Sequence, residues 1–510
     1  MQHSVAQSFL DSVERHRSSA ALVTQQRSWS YDELGRLAGA VSAFIGSKSL
    51  ERGDRVAILL PNSAEYVAAY FGAHLAGGVA VALNSQEPAV AINRLVRHCG
   101  AKLVFVDAKW RDLGRLVELL GDDGPEVVAV GEGSGPWREI VQSSSRDYRR
   151  YVVETRSGDL ASIIYTSGTT GNPKGAMLSH RNLFANTQSI LQYIDISWVD
   201  RTLNVLPFYY SFGNSILLTH MSVGACIVLH NNIAFPHAVL QRMSKEKVTG
   251  FYGVPTTFTL LYDPERIAAT DLSSLRYVAQ AGGPMSVDKQ QQLTRDLPGV
   301  RIFIMYGQTE ATARLTYLDP ERITDKQGSV GKAIPGVEIR VGATPGERHS
   351  AKSPGEVYAR GDNIMMGYWN DATGTNEVIR DGWLRTGDLG YFDNDGFLYL
   401  TGRASDMIKT GANRVSPAEI EDIISRLDGV REVGAYAVDD DVLGQAIAVA
   451  VIASDGAGLD ERAVQRHCLS EMSAYKVPKH VRFVSELPKT ASGKLRRHVL
   501  TAQYKENSEK

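Results

Sequence analysis

The sequence predicts a mixed α/β protein: a large amino-terminal α/β body of βαβ subdomains with a small β-barrel-like region, followed by a small carboxy-terminal α/β domain. Three observations carry this. Apolar runs of strand length alternate with helix-period segments over the first 150 residues and again from Asp159 to about Val341, which indicates largely parallel sheets. Between about Gly355 and Leu400 the pattern changes to short strands with turn signals, as in GEVYAR and YFDNDGFLYLTGR. The last hundred or so residues then open on a fresh helix-start signal, so the boundary falls near Gly402–Ser405 and divides 1–402 from 403–510.

The elements follow in order. Ser30-Tyr31-Asp32-Glu33 has capping-box spacing, and behind it Leu34, Leu37, Ala38, Val41, Phe44 and Ile45 form one helical stripe. RVAILL (55–60) reads as a buried strand, the segment to Gly77-Gly78 as a helix, and VAVAL (79–83) as the next strand. A helix over about Ala89–His98 leads to the strand KLVFVD (102–107). Residues 141–158 read as a solvated polar connection. Asp393-Asn394-Asp395-Gly396 reads as a hairpin turn, because Tyr391 stands where a calcium loop needs its earlier acidic ligand. In the last domain Ser416-Pro417-Ala418-Glu419 sets an N-cap, a first-turn proline and a capping-box glutamate. Ile420, Ile423, Ile424 and Leu427 make the stripe behind it, followed by strands at 430–438 and 446–453, a helix from about Asp460 and a strand at His480–Val484.

Composition narrows the function classes. The 510 residues carry 55 Lys+Arg against 57 Asp+Glu, a formal charge of −2, so no excess of positive charge drives binding to nucleic acid or acidic membranes. Cys99, Cys226 and Cys468 form no CxxC pair, as expected of free thiols in a reducing compartment rather than a disulfide or zinc scaffold. The amino terminus carries acids where a signal peptide is apolar, and the most apolar stretch, Ile216–Leu229, falls short of the ~20 residues of a membrane span. The expectation is a cytoplasmic protein without a membrane span.

The strongest chemical signal is Thr166-Ser167-Gly168-Thr169-Thr170-Gly171-Asn172-Pro173-Lys174-Gly175, after the apolar strand ASIIY and before a helix expected near Ser179. Its glycines let backbone N–H groups face inward, its hydroxyls add donors and Lys174 adds a charge, a concavity suited to phosphate oxygens. It lacks the Gly-Lys-Ser/Thr ending of a Walker A loop.

This segment resembles the phosphate loop of the adenylate-forming superfamily, the AMP-dependent synthetases and ligases that include acyl-CoA synthetases. Tyr306-Gly307-Gln308-Thr309-Glu310, Trp383-Leu384-Arg385-Thr386-Gly387-Asp388, Thr401-Gly402-Arg403 with Asp406-Met407-Ile408-Lys409, and Leu487 to Lys494 resemble further motifs of that family, in family order. Gly355-Glu356-Val357 and Gly367-Tyr368-Trp369 add another element. The resemblance implies ATP-dependent activation of a small-molecule carboxylic acid to acyl-AMP with release of pyrophosphate, then acyl transfer to a thiol, with ATP, Mg²⁺ and coenzyme A as cofactors. Transfer to the phosphopantetheine of an acyl carrier protein or to an amine is the alternative, and a non-catalytic nucleotide-binding protein a further one.

The resemblance also implies roles. Lys494 would bridge carboxylate and α-phosphate, Glu310 would ligate Mg²⁺, and Thr309 would bond the α-phosphate. Thr166, Ser167, Gly168, Thr169, Thr170 and Lys174 would hold the phosphates. Tyr306 with Gly307 would lie against adenine, Gly282-Gly283-Pro284 would form the adenine and acyl floor, Asp388 would take the ribose hydroxyls and Arg403 the ribose or phosphate. Tyr210, Phe212, Val254 and Gly282 would line the acid pocket. The carboxy-terminal domain would be mobile, rotating about Ser405 to bring Lys409 over the thiol channel once Lys494 has left. Two positions depart from the family pattern: Ser405, where Asp or Lys is usual, and Ile304, where a polar residue is frequent.

Overall fold

The computed structural model describes residues 4–48, 50–131, 135–143, 152–166, 174–233, 235–342, 349–351, 353–404, 406–410, 413–440, 443–454, 456–490 and 495–508. Two mainly parallel sheets form the body. In the first, the strands Arg55–Leu59, Val79–Ala82, Ala101–Asp107, Glu126–Val130 and Leu160–Thr166 run parallel. In the second, Ala20–Val23, Cys226–Leu229, Arg201–Asn204, Gly250–Gly253, Tyr277–Gln280 and Arg301–Tyr306 do the same.

These strands are near-continuous apolar runs because both faces are covered. Phe9, Leu37, Val41, Phe71 and Leu218, from four helices, pack between the sheets against Val56, Ile58 and Phe105 of one and Leu22 and Ile227 of the other. Ile92, Val96, Leu116 and Leu120 cover the outer face of the first sheet, and Val239, Leu240, Phe258 and Leu293 that of the second. The result is a layered α-β-α-β-α body. At about 1.5–3 kcal/mol for each fully buried large apolar side chain, these layers are the main stabilising term.

The short strands after Val337 form a third, antiparallel sheet from Val337–Val341, Gly355–Gly361, Ile379–Arg380, Trp383–Phe392 and Leu398–Arg403. The turn 393–396 joins two of its strands: Asp393 accepts from the Asp395 and Phe397 amides, and the Lys326 ammonium sits 2.8 Å from its other oxygen and also binds Asp395, so a lysine takes the place of a cation. A fourth sheet contains only residues after Met407, with Val430–Asp440 and Gly444–Ala453 as its long hairpin.

The Ser30 capping box forms as expected, with Glu33 accepting from the Ser30 amide at 2.8 Å. The helix expected near Ser179 begins at His180 with Ser179 as its N-cap, and the strand Lys174–Ser179, which the sequence did not show, precedes it and pairs antiparallel with Leu160–Thr166. One expectation needs correction. Ser416 stands at the N-cap position ahead of Pro417, but its side chain makes no capping hydrogen bond. Its hydroxyl donates to the carbonyl of Thr401 instead, and Glu419 pairs with Lys476. Ile420 and Ile424 are fully buried on that helix, and Ile423 and Leu427 half-buried. Ile216–Leu229 resolves into a buried helix, Ser211–Val223, and a strand, and among the described residues no helix is long and apolar enough to cross a membrane.

Candidate active site

In a parallel sheet the loops after the strands' carboxyl ends gather on one edge. Here four neighbouring strands of the second sheet end there: Arg201–Asn204 leads to Tyr210 and Phe212, Gly250–Gly253 to Val254, Tyr277–Gln280 to Gly282, and Arg301–Tyr306 to Thr309 and Glu310. Gly282 has φ +88°, and a Cβ there would stand 3.1 Å from Val254 Cγ1, so the floor closes on bare backbone. Gly283 is tied by its carbonyl to Gln280 Nε2 at 2.7 Å, ahead of Pro284. Gly307 admits no side chain, because its Cβ would fall 2.1 Å from the Ala313 carbonyl oxygen. That close approach folds Thr309–Ala311 into a short 3₁₀ turn.

Two carboxylates organise the site. Tyr306 donates from its hydroxyl to Asp388 Oδ2 at 2.6 Å, and Arg403 donates from Nε to Asp388 Oδ1 at 2.9 Å. Asp388 is 8% exposed and its amide donates to Thr386 Oγ1. Burial, and then the Asp388 charge, push the Tyr306 phenol well above its ordinary range, while Asp388 raises Arg403. Tyr306 stays a neutral donor and Arg403 a cation.

The second carboxylate is Glu310. Tyr368 donates to its Oε1 at 2.9 Å, and burial followed by the Glu310 charge raises that phenol too. Lys174 places its ammonium 4.8 Å over the Tyr368 ring and 3.6 Å from Asp371. Thr166 and Lys174 face each other across the hairpin, and the Lys174 end meets Tyr368, the residue that holds Glu310. Thr309 shares a 3.1 Å hydroxyl contact with Ser211 at the start of the helix Ser211–Val223.

The structure thus brings together Thr166, Lys174, Thr309, Glu310, Tyr306, Asp388 and Arg403 from three sheets. Phe212 and Val254 pack on one shared cluster, whereas Tyr210 lies tilted against Tyr209, their ring centres 4.5 Å apart, beside the helices between the sheets. Lys409 is exposed on the strand Ile408–Thr410, with its amide bonded to Gln445. Ser167, Gly168, Thr169, Thr170, Ser405 and Lys494 lie outside the described residues.

Sequence reasoning missed three site residues. Tyr368 lies within Gly367-Tyr368-Trp369, a motif whose residue types alone point to no role for it. Asn363 donates to the Ala311 and Arg314 carbonyls and accepts at its own carbonyl from Thr312 at 2.5 Å, bracing a turn in which Thr312 (φ 60°) and Ala313 (φ 117°) are left-handed. Arg314 is 1% exposed. Its guanidinium lies 4.1 Å over the Phe212 ring, and Nε and Nη1 reach only Met305 Sδ at 3.4 Å and the Ala313 carbonyl at 3.3 Å. Burial lowers its pKa, with the Tyr193 and Tyr252 hydroxyls opposing, and no carboxylate pairs with it among the described residues. Arginine nonetheless stays charged. A ring contact returns about 0.5–2 kcal/mol, against a desolvation cost of several kcal/mol for a buried ion.

The family profile described as AMP-binding enzyme matches residues 9–369, and that of the AMP-binding enzyme C-terminal domain matches 419–494. The chain is 31% identical over 480 residues to a feruloyl-CoA synthase of Amycolatopsis sp, covering 91% of this chain and 92% of the relative. It is 30% identical to an indoleacetate–CoA ligase of Aromatoleum aromaticum, covering 95% and 96%. Among solved structures, ATP-bound MatB from Rhodopseudomonas palustris superposes with a TM-score of 0.90 at 28% identity, covering 99% of this chain and 100% of that one.

Proposed function

The chain belongs to the AMP-binding enzyme family of AMP-forming acid–thiol ligases, and from that premise we propose that it joins a small carboxylic acid to AMP from ATP, releases pyrophosphate, and passes the acyl group to the thiol of coenzyme A. The observation that carries this reading is the convergence of Asp388, held by Tyr306 and Arg403, with Glu310, held by Tyr368, at one sheet edge. The acid–CoA ligases among the relatives support coenzyme A as acceptor.

Two anions must meet in the first half-reaction, so the protein's work is positioning and charge neutralisation. Asp388 accepts from the two ribose hydroxyls, oriented by its own two donors. Tyr306 presents its ring to the adenine, with Gly282, Gly283 and Pro284 as floor. Thr166 to Thr170 and Lys174 wrap the phosphates, Thr309 donates to the α-phosphate, and Lys494 neutralises carboxylate and phosphate together. Glu310 would hold Mg²⁺: it is a hard carboxylate whose Oε1 is fixed by Tyr368, and the ion would supply charge stabilisation beside the phosphates.

For the second half, residues 403–510 act as a lid over the body formed by 1–402, turning at Ser405 so that Lys494 leaves and Lys409 approaches the thiol's path. Phe212, Val254 and Gly282 are the acid-pocket walls, with Tyr210 at the mouth. The test is acid-dependent exchange of pyrophosphate into ATP over a panel of acids, followed by thioester formation on adding coenzyme A. Exchange without acid dependence, or no exchange with any acid, would overturn the reading.

A further inference from the structure

We propose that Arg314 is the inner end of the acid pocket and selects acids that carry a second carboxylate. The inference rests on the acid-activating function proposed above and names its substrate class.

Arg314 lies four residues beyond Glu310, and its guanidinium covers Phe212, a wall of the acid pocket. Phe212 in turn meets Tyr252 edge-on with ring centres 6.2 Å apart, two residues before Val254. Met305, which Arg314 touches through Nε, immediately precedes Tyr306. The cation therefore sits where the acid side and the nucleotide side of the site share a wall. Its neighbours Met305 and Tyr252 belong to an apolar cluster with Ile190, Ile216 and Phe303, on which Phe212 and Val254 also pack.

A guanidinium offers five N–H donors. The acceptors that meet Arg314 are a thioether sulfur, the carbonyl of its own neighbour at 3.3 Å and the Tyr193 hydroxyl, and none of them is anionic. Methionine or leucine would fill this cluster at less cost, so the charge needs a partner that arrives with the substrate. A carboxylate matches the planar fork of arginine and gains most where water is excluded. A monocarboxylic acid would set alkyl surface against the cation, whereas the remote carboxylate of a dicarboxylic acid would pair with it. Discrimination by a site built around one buried charge is large, because the wrong ligand leaves that charge without a counter-charge.

The experiment measures kcat/KM in acid-dependent pyrophosphate exchange for straight-chain monocarboxylic acids of three to eight carbons and the matched dicarboxylic acids. It uses the full chain, wild type and Arg314→Met, with Arg314→Lys as a charge-retaining control and thermal unfolding to confirm the fold. In the wild type the best dicarboxylic acid is expected to exceed its monocarboxylic match by about 100-fold or more. Arg314→Met is expected to reduce that ratio by a similar factor, and Arg314→Lys by less. A wild-type ratio near one or below at every length would overturn the proposal whether or not the variants fold, and so would a ratio that survives Arg314→Met. If no acid of either series drives exchange, the acid-activating reading fails on its own terms. Thermal stabilisation of the wild type by dicarboxylic but not monocarboxylic acids, absent in Arg314→Met, would then still support the anion site, and its absence would overturn it.

Discussion

Tyr306 and Asp388, 82 residues apart, are joined by a 2.6 Å hydrogen bond that links the end of the second parallel sheet to the antiparallel third. The bond leaves the Asp388 carboxylate with one orientation, since Arg403 holds its other oxygen at 2.9 Å. Hydrogen bonds to charged groups contribute about 1.5–3 kcal/mol. Tyr306→Phe keeps the ring and removes only this donor. The expected outcome is a KM for ATP raised about 10- to 100-fold, with thermal stability changed little. Steady-state exchange kinetics at varied ATP check it, and an unaltered KM would show that Asp388 is oriented without Tyr306.

Tyr368 stands to Glu310 as Tyr306 stands to Asp388, at 2.9 Å. Its ring also carries the Lys174 ammonium at 4.8 Å, so one residue touches both the expected metal ligand and the phosphate-loop lysine. Tyr368→Phe preserves the ring and frees the glutamate. We expect the Mg²⁺ concentration for half-maximal exchange to rise about tenfold, in line with the loss of roughly 1.4 kcal/mol of positioning, while the KM for the acid stays within about twofold. Equal changes in both would place Tyr368 in general packing rather than at the metal.

These pairs explain what was legible in the sequence and what was not. Strands such as Arg55–Leu59 and Ala101–Asp107, and the Ser30 cap, depend on neighbours within a few residues or on burial of both sheet faces, and their patterns showed it. The strand Lys174–Ser179 was missed because its reason for being extended is the partner strand across the loop, not its own periodicity. Tyr368 reaches a residue 58 positions away, and Ser416 answers to Thr401 rather than to its own helix. Arg314 escaped notice because a lone arginine reads as surface, and only its burial reveals a charge in an apolar cluster.

Buried histidines make the body acid-sensitive. His74 and His180, their ring centres 5.4 Å apart, and His220 are at most 1% exposed. Desolvation lowers His74 from 6.5 to about 3 and His180 and His220 to about 4. The unfolded chain therefore binds protons below pH 6.5 that the folded chain refuses, so stability falls as pH drops from about 6.5 towards 4, each histidine contributing up to about 1.4 kcal/mol per pH unit in that window. Thermal unfolding between pH 7.5 and 5 is expected to show a falling midpoint, with a shallower fall in His74→Gln. A midpoint flat across that range would contradict the neutral burial of these rings.

The hydrogen bond from Ser416 to the Thr401 carbonyl spans the proposed junction, and Gly402 between the two segments has φ 142°, with its Cβ position only 2.7 Å from Ser416 Oγ. A side chain at 402 would displace Ser416, so the glycine and the serine fit one arrangement of the lid. Removing one hydrogen bond of about 1 kcal/mol shifts a two-state equilibrium about fivefold. Ser416→Ala should therefore change the ratio of acyl-AMP formation to thioester formation from supplied acyl-AMP by about that factor, in whichever direction the lost arrangement served. Lys494→Ala provides the reference, since it should abolish the first half-reaction and spare the second. If Ser416→Ala scales both half-reactions alike, the bond belongs to lid stability and not to its choice of position; if Lys494→Ala removes both equally, the two-arrangement mechanism itself fails.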